Sequence, residues 1–216
     1  MTEKKLSQHI DHTLLKPFAS WADIQKLCDE AVEWRTATVC IPPSYVQRVR
    51  AAYGERLRIC TVIGFPNGYN VTTSKLVEAH QAVADGARDI DMVINISDVK
   101  NGDYGKVQDE IRQIQETIDD ATLKVIVETC YLSDAEKRRL CKIVSEAKAD
   151  YIKTSTGFGS AGADLADVKL FRGLLAPNVK IKAAGGIRTR QDFEAFLSAG
   201  CDRIGTSATA DILGAL

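Results

Sequence analysis

Apolar residues recur at helical spacing in three stretches of the chain: Ile24, Leu27, Cys28, Ala31 and Val32; Val107, Ile111, Ile114 and Ile118; and Leu140, Ile143, Val144 and Ala147. Steps of three and four place each set on one side of a helix, so each stretch predicts a helix with one buried face. Ser20 before Asp23, Ser133 before Glu136 and Thr189 before Asp192 have the spacing of capping boxes. There a hydroxyl and a carboxylate satisfy backbone N–H groups that the first turn leaves unpaired. Between the helices lie short runs rich in β-branched residues, at 38–41, 59–63, 90–96, 124–129, 151–154, 179–183 and 203–206, and residues 9–13 read as a first strand.

Strands that alternate with helices predict a parallel sheet, because parallel neighbours need a crossover and a helix supplies it. Eight units close into a (β/α)8 TIM barrel of the α/β class, whereas seven would leave an open doubly wound sheet. The run at 9–13 decides between them and favours the barrel. No Pro-rich or Gly/Ser-rich linker interrupts the pattern, which predicts one domain over residues 1–216.

Composition narrows the setting. The 216 residues are 45% hydrophobic, enough to bury a substantial core, and 28 Lys and Arg stand interleaved with 29 Asp and Glu. Such balance gives no footing for a nucleic-acid or membrane-surface partner. Cys28, Cys40, Cys60, Cys130, Cys141 and Cys201 include no C-x-x-C pair and lie mostly in apolar runs, the pattern of a reducing, cytoplasmic setting. The first twelve residues lack the apolar stretch of a secretion signal, and no run reaches membrane-spanning length.

Barrel enzymes carry their chemistry at the C-terminal ends of the strands. Lys153 and Lys182 stand there on adjacent predicted strands, each before a glycine-containing loop. A lysine inside a barrel is costly to desolvate as a cation, and a second ammonium beside it further favours the neutral, nucleophilic amine. The plain alternative is that both are ends of strands reaching water. Asp91, set in the apolar run 89–93, is a candidate proton shuttle or simply a buried partner for a lysine, with Asp89 placed at the strand mouth. Gly185-Gly186-Ile187-Arg188 before the Thr189 cap, together with Gly205-Thr206-Ser207, occupy the place where barrels bind phosphate, and predict a phosphorylated substrate. His9 and His12 do not share a strand face, His80 lies in a helix without a ligand set, and no metal site is predicted. Cys40 reads as packing or pocket lining. Lys180 shares a face with Lys182 but sits nearer the opposite mouth, where it can snorkel to water.

Residues 10–17 (IDHTLLKP), 62–66 (VIGFP), 90–95 (IDMVIN), 124–129 (KVIVET), 151–158 (YIKTSTGF) and 181–188 (IKAAGGIR) resemble, in order and along nearly the whole chain, the motifs of the 2-deoxyribose-5-phosphate aldolases, class I (Schiff-base) enzymes. The resemblance implies reversible cleavage of 2-deoxy-D-ribose 5-phosphate to D-glyceraldehyde 3-phosphate and acetaldehyde in deoxyribonucleotide catabolism, with no metal or organic cofactor and with homodimers as a fitting assembly. It makes Lys153 the imine-forming lysine, Lys182 the cation that activates it, and Asp91 the carboxylate that relays protons with Lys182 and a bound water. It places Gly185, Gly186, Arg188, Gly205 and Ser207 around the phosphate, and Asp11, Thr13, Cys40, Lys124 and Thr156 on the pocket wall.

The chain departs from the family pattern at Ala184, where many members have Ser, at Pro42, where short bacterial forms have Asn, and at Ala208 in place of a second Ser of the phosphate loop. The last change implies somewhat weaker phosphate binding. The sequence ends at Leu216 without a Tyr-bearing tail that aids proton transfer in members of the family, which implies slower turnover or a trimmed form. Two other readings fit the residues taken alone: a phosphate-binding barrel that isomerises or decarboxylates a sugar phosphate by acid–base chemistry, and a barrel that only binds metabolites.

Overall fold

A computed structural model describes residues 6–214. Eight parallel strands close on themselves in chain order, each hydrogen-bonded to the next and the eighth to the first. They are β1 Ile10–Thr13, β2 Thr38–Ile41, β3 Ile59–Ile63, β4 Asp89–Val93, β5 Thr122–Ile126, β6 Tyr151–Lys153, β7 Lys180–Ala184 and β8 Arg203–Thr206. The weakest predicted strand, β1, closes the ring between β2 and β8. Nine helices among the described residues cover the outside: α1 Trp21–Trp34, α2 Val46–Tyr53, α3 Thr72–Ala84, α4 Ile96–Asn101, α5 Tyr104–Thr117, α6 Asp134–Glu146, α7 Leu165–Leu174, α8 Arg190–Ser198 and α9 Thr209–Leu213. None is long and apolar enough to cross a membrane.

The helices predicted from periodicity are α1, α5 and α6, and their apolar positions face the sheet. Both reciprocal capping boxes, Ser20 with Asp23 and Ser133 with Glu136, are formed. At α8 the Thr189 hydroxyl accepts from the Asp192 amide and donates to the Asp192 carboxylate.

Alternation along the strands sorts the residues into two environments. Ile10, Val39, Ile41, Ile59, Ile63, Ile90, Met92, Leu123, Val125, Ile152, Ile181, Ala183 and Ile204 belong to the large apolar cluster shared with the helices. Fully burying one Ile or Leu in it stabilises the fold by about 1.5–3 kcal/mol. The alternate positions, Asp11, Asp89, Asp91, Lys124, Lys153 and Lys182, point into the ring, where all six are buried and joined by ion pairs.

Four strands end differently from the run of β-branched residues; β6 stops at Lys153 rather than 154. Strand β4 stops at Val93 rather than 96, because the Asn95 side chain accepts from Ser97 N at 3.1 Å and starts α4. Strand β5 stops at Ile126 rather than 129, because Glu128 adopts the left-handed conformation (φ 54°), although Val127 N and Thr129 N still bond to Lys153 O and Thr154 O. Strand β7 runs over Lys180–Ala184, one residue later than 179–183.

Candidate active site

The register of β6 and β7 pairs Lys153 with Lys182, and both side chains project inward to Asp91 on β4. Lys153 Nζ lies 2.7 Å and Lys182 Nζ 2.6 Å from the same atom, Asp91 Oδ2. The other oxygen, Oδ1, takes Lys124 Nζ at 3.0 Å and the Cys60 thiol at 3.2 Å. Lys182 also contacts Asp11 Oδ2, whose Oδ1 takes the Arg203 guanidinium at 2.7 Å and the Thr38 hydroxyl at 2.7 Å. Lys124 reaches Asp89 Oδ2 at 2.6 Å, and Arg58 reaches Asp89 Oδ1 from the solvent side at 2.5 Å. The result is a connected ladder of opposite charges from the N-terminal mouth to Lys153.

Electrostatics fix most of these protonation states. Burial alone would raise the Asp91 pKa, but Lys124, Lys153 and Lys182 outweigh it and hold the carboxyl well below the usual carboxylate range. Asp11 is held down in the same way by Lys182, Lys124 and Arg203. Burial on its own would lower the Lys182 pKa, yet the Asp11 and Asp91 carboxylates overcome it and raise the pKa, so Lys182 is a standing cation. Lys124 is raised for the same reason by Asp89 and Asp91.

Above the ladder, at the C-terminal ends of the strands, opens a cavity of about 360 Å³. Lys153 forms part of its lining and is 3% exposed, so its amine is the member of the cluster presented to a small molecule. Thr13, Thr156, Gly185, Gly186, Arg188, Gly205 and Ser207 line the same cavity. Gly185 and Gly186 both have positive φ, 87° and 81°, and a Cβ on the neighbouring-loop residue Gly162 would sit 2.2 Å from Gly185 O. The two loops therefore touch backbone to backbone. A Cβ on Gly205 would fall 3.2 Å from Lys182 Cε, so β8 needs a small residue there to leave room for that side chain.

Three sequence-based placements change. Asp11 and Lys124, expected on the pocket wall, are fully buried in the ladder beneath it and do not border the cavity. Cys40 also lies below, packed with Cys60 and Val62 under Leu15 and Phe65. All three side chains are fully buried inside the ring. Burial pushes the Cys60 thiol up, with Asp91 adding to the effect, whereas Cys40 is lowered by its hydrogen bond to Cys60. Cys40, Cys60 and Asp91 bring two sulfurs and an oxygen within 4.8 Å of one another, but three ammonium groups already share that carboxylate and would repel a divalent ion. Asp89 is at a strand mouth as expected, the N-terminal one, and Lys180 shares a cavity with it there.

Glu128 and Arg203 make contacts around the site that sequence reasoning assigned to neither. The Glu128 carboxylate accepts from Thr156 N at 3.1 and 3.2 Å and from the Thr156 hydroxyl. That hydroxyl in turn accepts from Phe158 N at 3.0 Å, and the Phe158 ring stands edge-on to Phe65 at 5.3 Å at the cavity rim. The signal available for Glu128 was an acidic residue inside an apolar run; for Arg203 it was side-chain alternation, which aligns it with Gly205 on the inward face. His9 and His12 have structural partners: His9 meets Asp202 O at 2.8 Å, and His12 joins Glu30 at 2.9 Å and Thr209 at 2.8 Å.

Known proteins share this architecture. The profile of the DeoC/LacD family aldolases matches residues 5–210. A deoxyribose-phosphate aldolase of Clostridium botulinum (strain Eklund 17B / Type B) is 56% identical over 213 residues, covering 99% of this chain and 96% of the relative. Among solved structures, a putative deoxyribose-phosphate aldolase from Coccidioides immitis superposes with a TM-score of 0.96 at 38% identity, covering 100% of this chain and 87% of that one. A tetrameric deoxyribose phosphate aldolase from Aeropyrum pernix gives 0.90 at 31% identity, covering 99% and 92%. With its motifs, barrel and near-complete match, the chain belongs to the DeoC/LacD family of aldolases.

Proposed function

We propose that this enzyme reversibly cleaves 2-deoxy-D-ribose 5-phosphate to D-glyceraldehyde 3-phosphate and acetaldehyde through an imine on Lys153, without a metal or organic cofactor, and serves deoxyribonucleotide catabolism. The observation that carries the reading is the shared oxygen: Lys153 Nζ, at the floor of the cavity, meets the same Asp91 atom as the standing cation Lys182. The relatives' names supply the substrate, and the lining by Gly185, Gly186, Arg188, Gly205 and Ser207 suits its phosphate.

In cleavage, the neutral Lys153 amine adds to the C1 aldehyde of the open-chain sugar, and the carbinolamine loses water to give an iminium. The iminium keeps the positive charge that the ammonium placed against Asp91, so the carboxylate stabilises both forms. The proton for the departing hydroxyl comes by way of Asp91, Lys182 and a bound water. Loss of the C3 hydroxyl proton then breaks the C2–C3 bond; its electrons pass into the enamine as the iminium nitrogen is neutralised, and C3 leaves as the aldehyde of glyceraldehyde 3-phosphate. Protonation at C2 and addition of water release acetaldehyde and return the amine. Asp91, which contacts Lys153, and Lys182, which contacts the same Asp91 oxygen, relay these protons.

Incubation with acetaldehyde and sodium borohydride tests the reading. A two-carbon unit fixed on Lys153, located by peptide mass spectrometry, is the expected result. An unmodified Lys153 in a protein that still binds the sugar phosphate would transfer the reading to acid–base chemistry or to simple binding.

A further inference from the structure

The mechanism leaves one side of the ladder unused. Arg203 opens β8 at the N-terminal mouth, where it borders a second cavity of about 240 Å³ together with Arg58, Asp89, Thr122, Asp150, Tyr151, Asn178 and Lys180. Its guanidinium reaches Asp11 Oδ1 at 2.7 Å and Asp89 Oδ2 at 4.0 Å, and lies 5.9 Å from the centre of the Tyr151 ring. Lys180 stacks on that ring from β7, and Lys182 is the register partner of Arg203. The Arg203 side chain is 16% exposed, so little solvent screens it.

The charges inside the ring do not balance. Three carboxylates, Asp11, Asp89 and Asp91, face four cations, Lys124, Lys153, Lys182 and Arg203, with the Cys60 thiol donating to Asp91 and Cys40 beside it. Arg58 adds a further positive charge at the solvent-facing rim. One cation in the interior is therefore in surplus, and loss of a single proton balances it. Arginine does not give up its proton, and Lys124 and Lys182 each contact two or more carboxylates, whereas Lys153 contacts Asp91 alone and faces the cavity.

Resting on the imine reading above, we propose that Arg203 is a positioning residue for the reaction: acting through Asp11, it holds Lys182 in place and keeps the interior one positive charge in excess, so that Lys153 is the lysine that surrenders its proton. Arg203 touches neither the substrate cavity nor the reacting atoms, and its influence travels along the ion pairs Arg203–Asp11–Lys182–Asp91–Lys153.

The test is the pH profile of borohydride trapping of acetaldehyde on Lys153 in the full-length enzyme and three variants. Arg203→Met removes the surplus charge, favours the ammonium form and moves the acid limb of the profile to higher pH by about one unit, a tenfold loss of trapping on that limb. Asp11→Asn removes a negative charge and moves the limb the other way. The double variant Arg203→Met/Asp11→Asn restores the balance and returns the limb toward that of the parent, and Arg203→Lys leaves it in place. Adduct on the parent's Lys153 with profiles that superimpose, or with Arg203→Met and Asp11→Asn shifted in the same direction, overturns this inference alone. If Arg203→Met does not fold, an unmoved limb in Asp11→Asn overturns it equally. Absence of any adduct from the parent overturns the imine reading and this inference with it.

Discussion

Lys153 and Lys182 donate to one oxygen of one carboxylate, Asp91 Oδ2, at 2.7 and 2.6 Å. Their nitrogens therefore lie on the same side of the ring wall, within reach of a single anion. Lys182 has Asp11 as a second anchor and Lys153 has none. The asymmetry separates a lysine held by two carboxylates from one held by a single carboxylate at the cavity floor.

Replacing Lys182 by Leu removes the fixed cation while filling its volume. Trapping of acetaldehyde on Lys153 should vanish near neutral pH and return in part at alkaline pH, because the remaining ammonium loses the like charge that helped to discharge it. The change also leaves Asp11 and Asp91 short of a buried partner, a cost of about 3–5 kcal/mol in stability. Adduct yield against pH, measured at a temperature where circular dichroism shows the variant folded, checks the claim; a pH-independent yield would refute it.

How far these sites were legible in the sequence depends on what each residue answers to. The barrel followed from alternation of periods, since β-branched runs and helical spacings are local properties. Lys153, Lys182 and Asp91 were legible because a charged residue inside an apolar strand needs a partner across the ring. Asp11, Lys124 and Cys40 are buried off the cavity wall, since depth along a tilted strand is set by the stagger of neighbours and not by residue type. Glu128 was hidden by its backbone. Its run promised a strand, yet positive φ turns the carboxylate toward Thr156 and ends the strand early.

That turn makes Glu128 a support for the cavity wall. A non-glycine residue in the left-handed region costs about 1–2 kcal/mol, here accompanied by three contacts to Thr156. Glu128→Gln keeps the shape but cannot accept from both Thr156 groups with full charge. We expect KM for the sugar phosphate to rise about fivefold to tenfold, with the borohydride adduct on Lys153 retained, since each charge-assisted hydrogen bond is worth about 1.5–3 kcal/mol and part of that is transmitted to the loop. Steady-state kinetics that leave KM unchanged would show that the Thr156 loop stands without it.

Gly162 offers a test of the phosphate assignment that leaves the lysines untouched. A Cβ there would lie 2.2 Å from Gly185 O and 3.1 Å from Gly185 Cα, so Gly162→Ala must displace the glycine loop at the end of β7. If that loop holds phosphate, KM for deoxyribose 5-phosphate should rise about tenfold or more, the loss of one or two charge-assisted bonds, while turnover of unphosphorylated deoxyribose barely changes. Equal damage to both substrates would place the phosphate elsewhere.

Acid stability should separate His12 from the ladder. Burial pushes the His12 imidazole below its ordinary value of 6.5, although its bond to Glu30 pulls the other way. The unfolded chain therefore takes up a proton near pH 6.5 that the folded one refuses, so this contribution to stability is complete above that pH and is lost as the pH falls toward the folded value. Asp11 and Asp91 are depressed carboxylates, whose contribution is complete above about pH 3.9 and is lost only as the pH falls below it. The first acid loss thus belongs to the bridge that His12 makes from β1 to α1 and α9. In His12→Gln, melting temperature should be lower at pH 7.5 through loss of that bridge, yet fall less between pH 6.5 and 5 than in the parent. Calorimetric melting curves running parallel for the two proteins over that interval would assign the loss to another group.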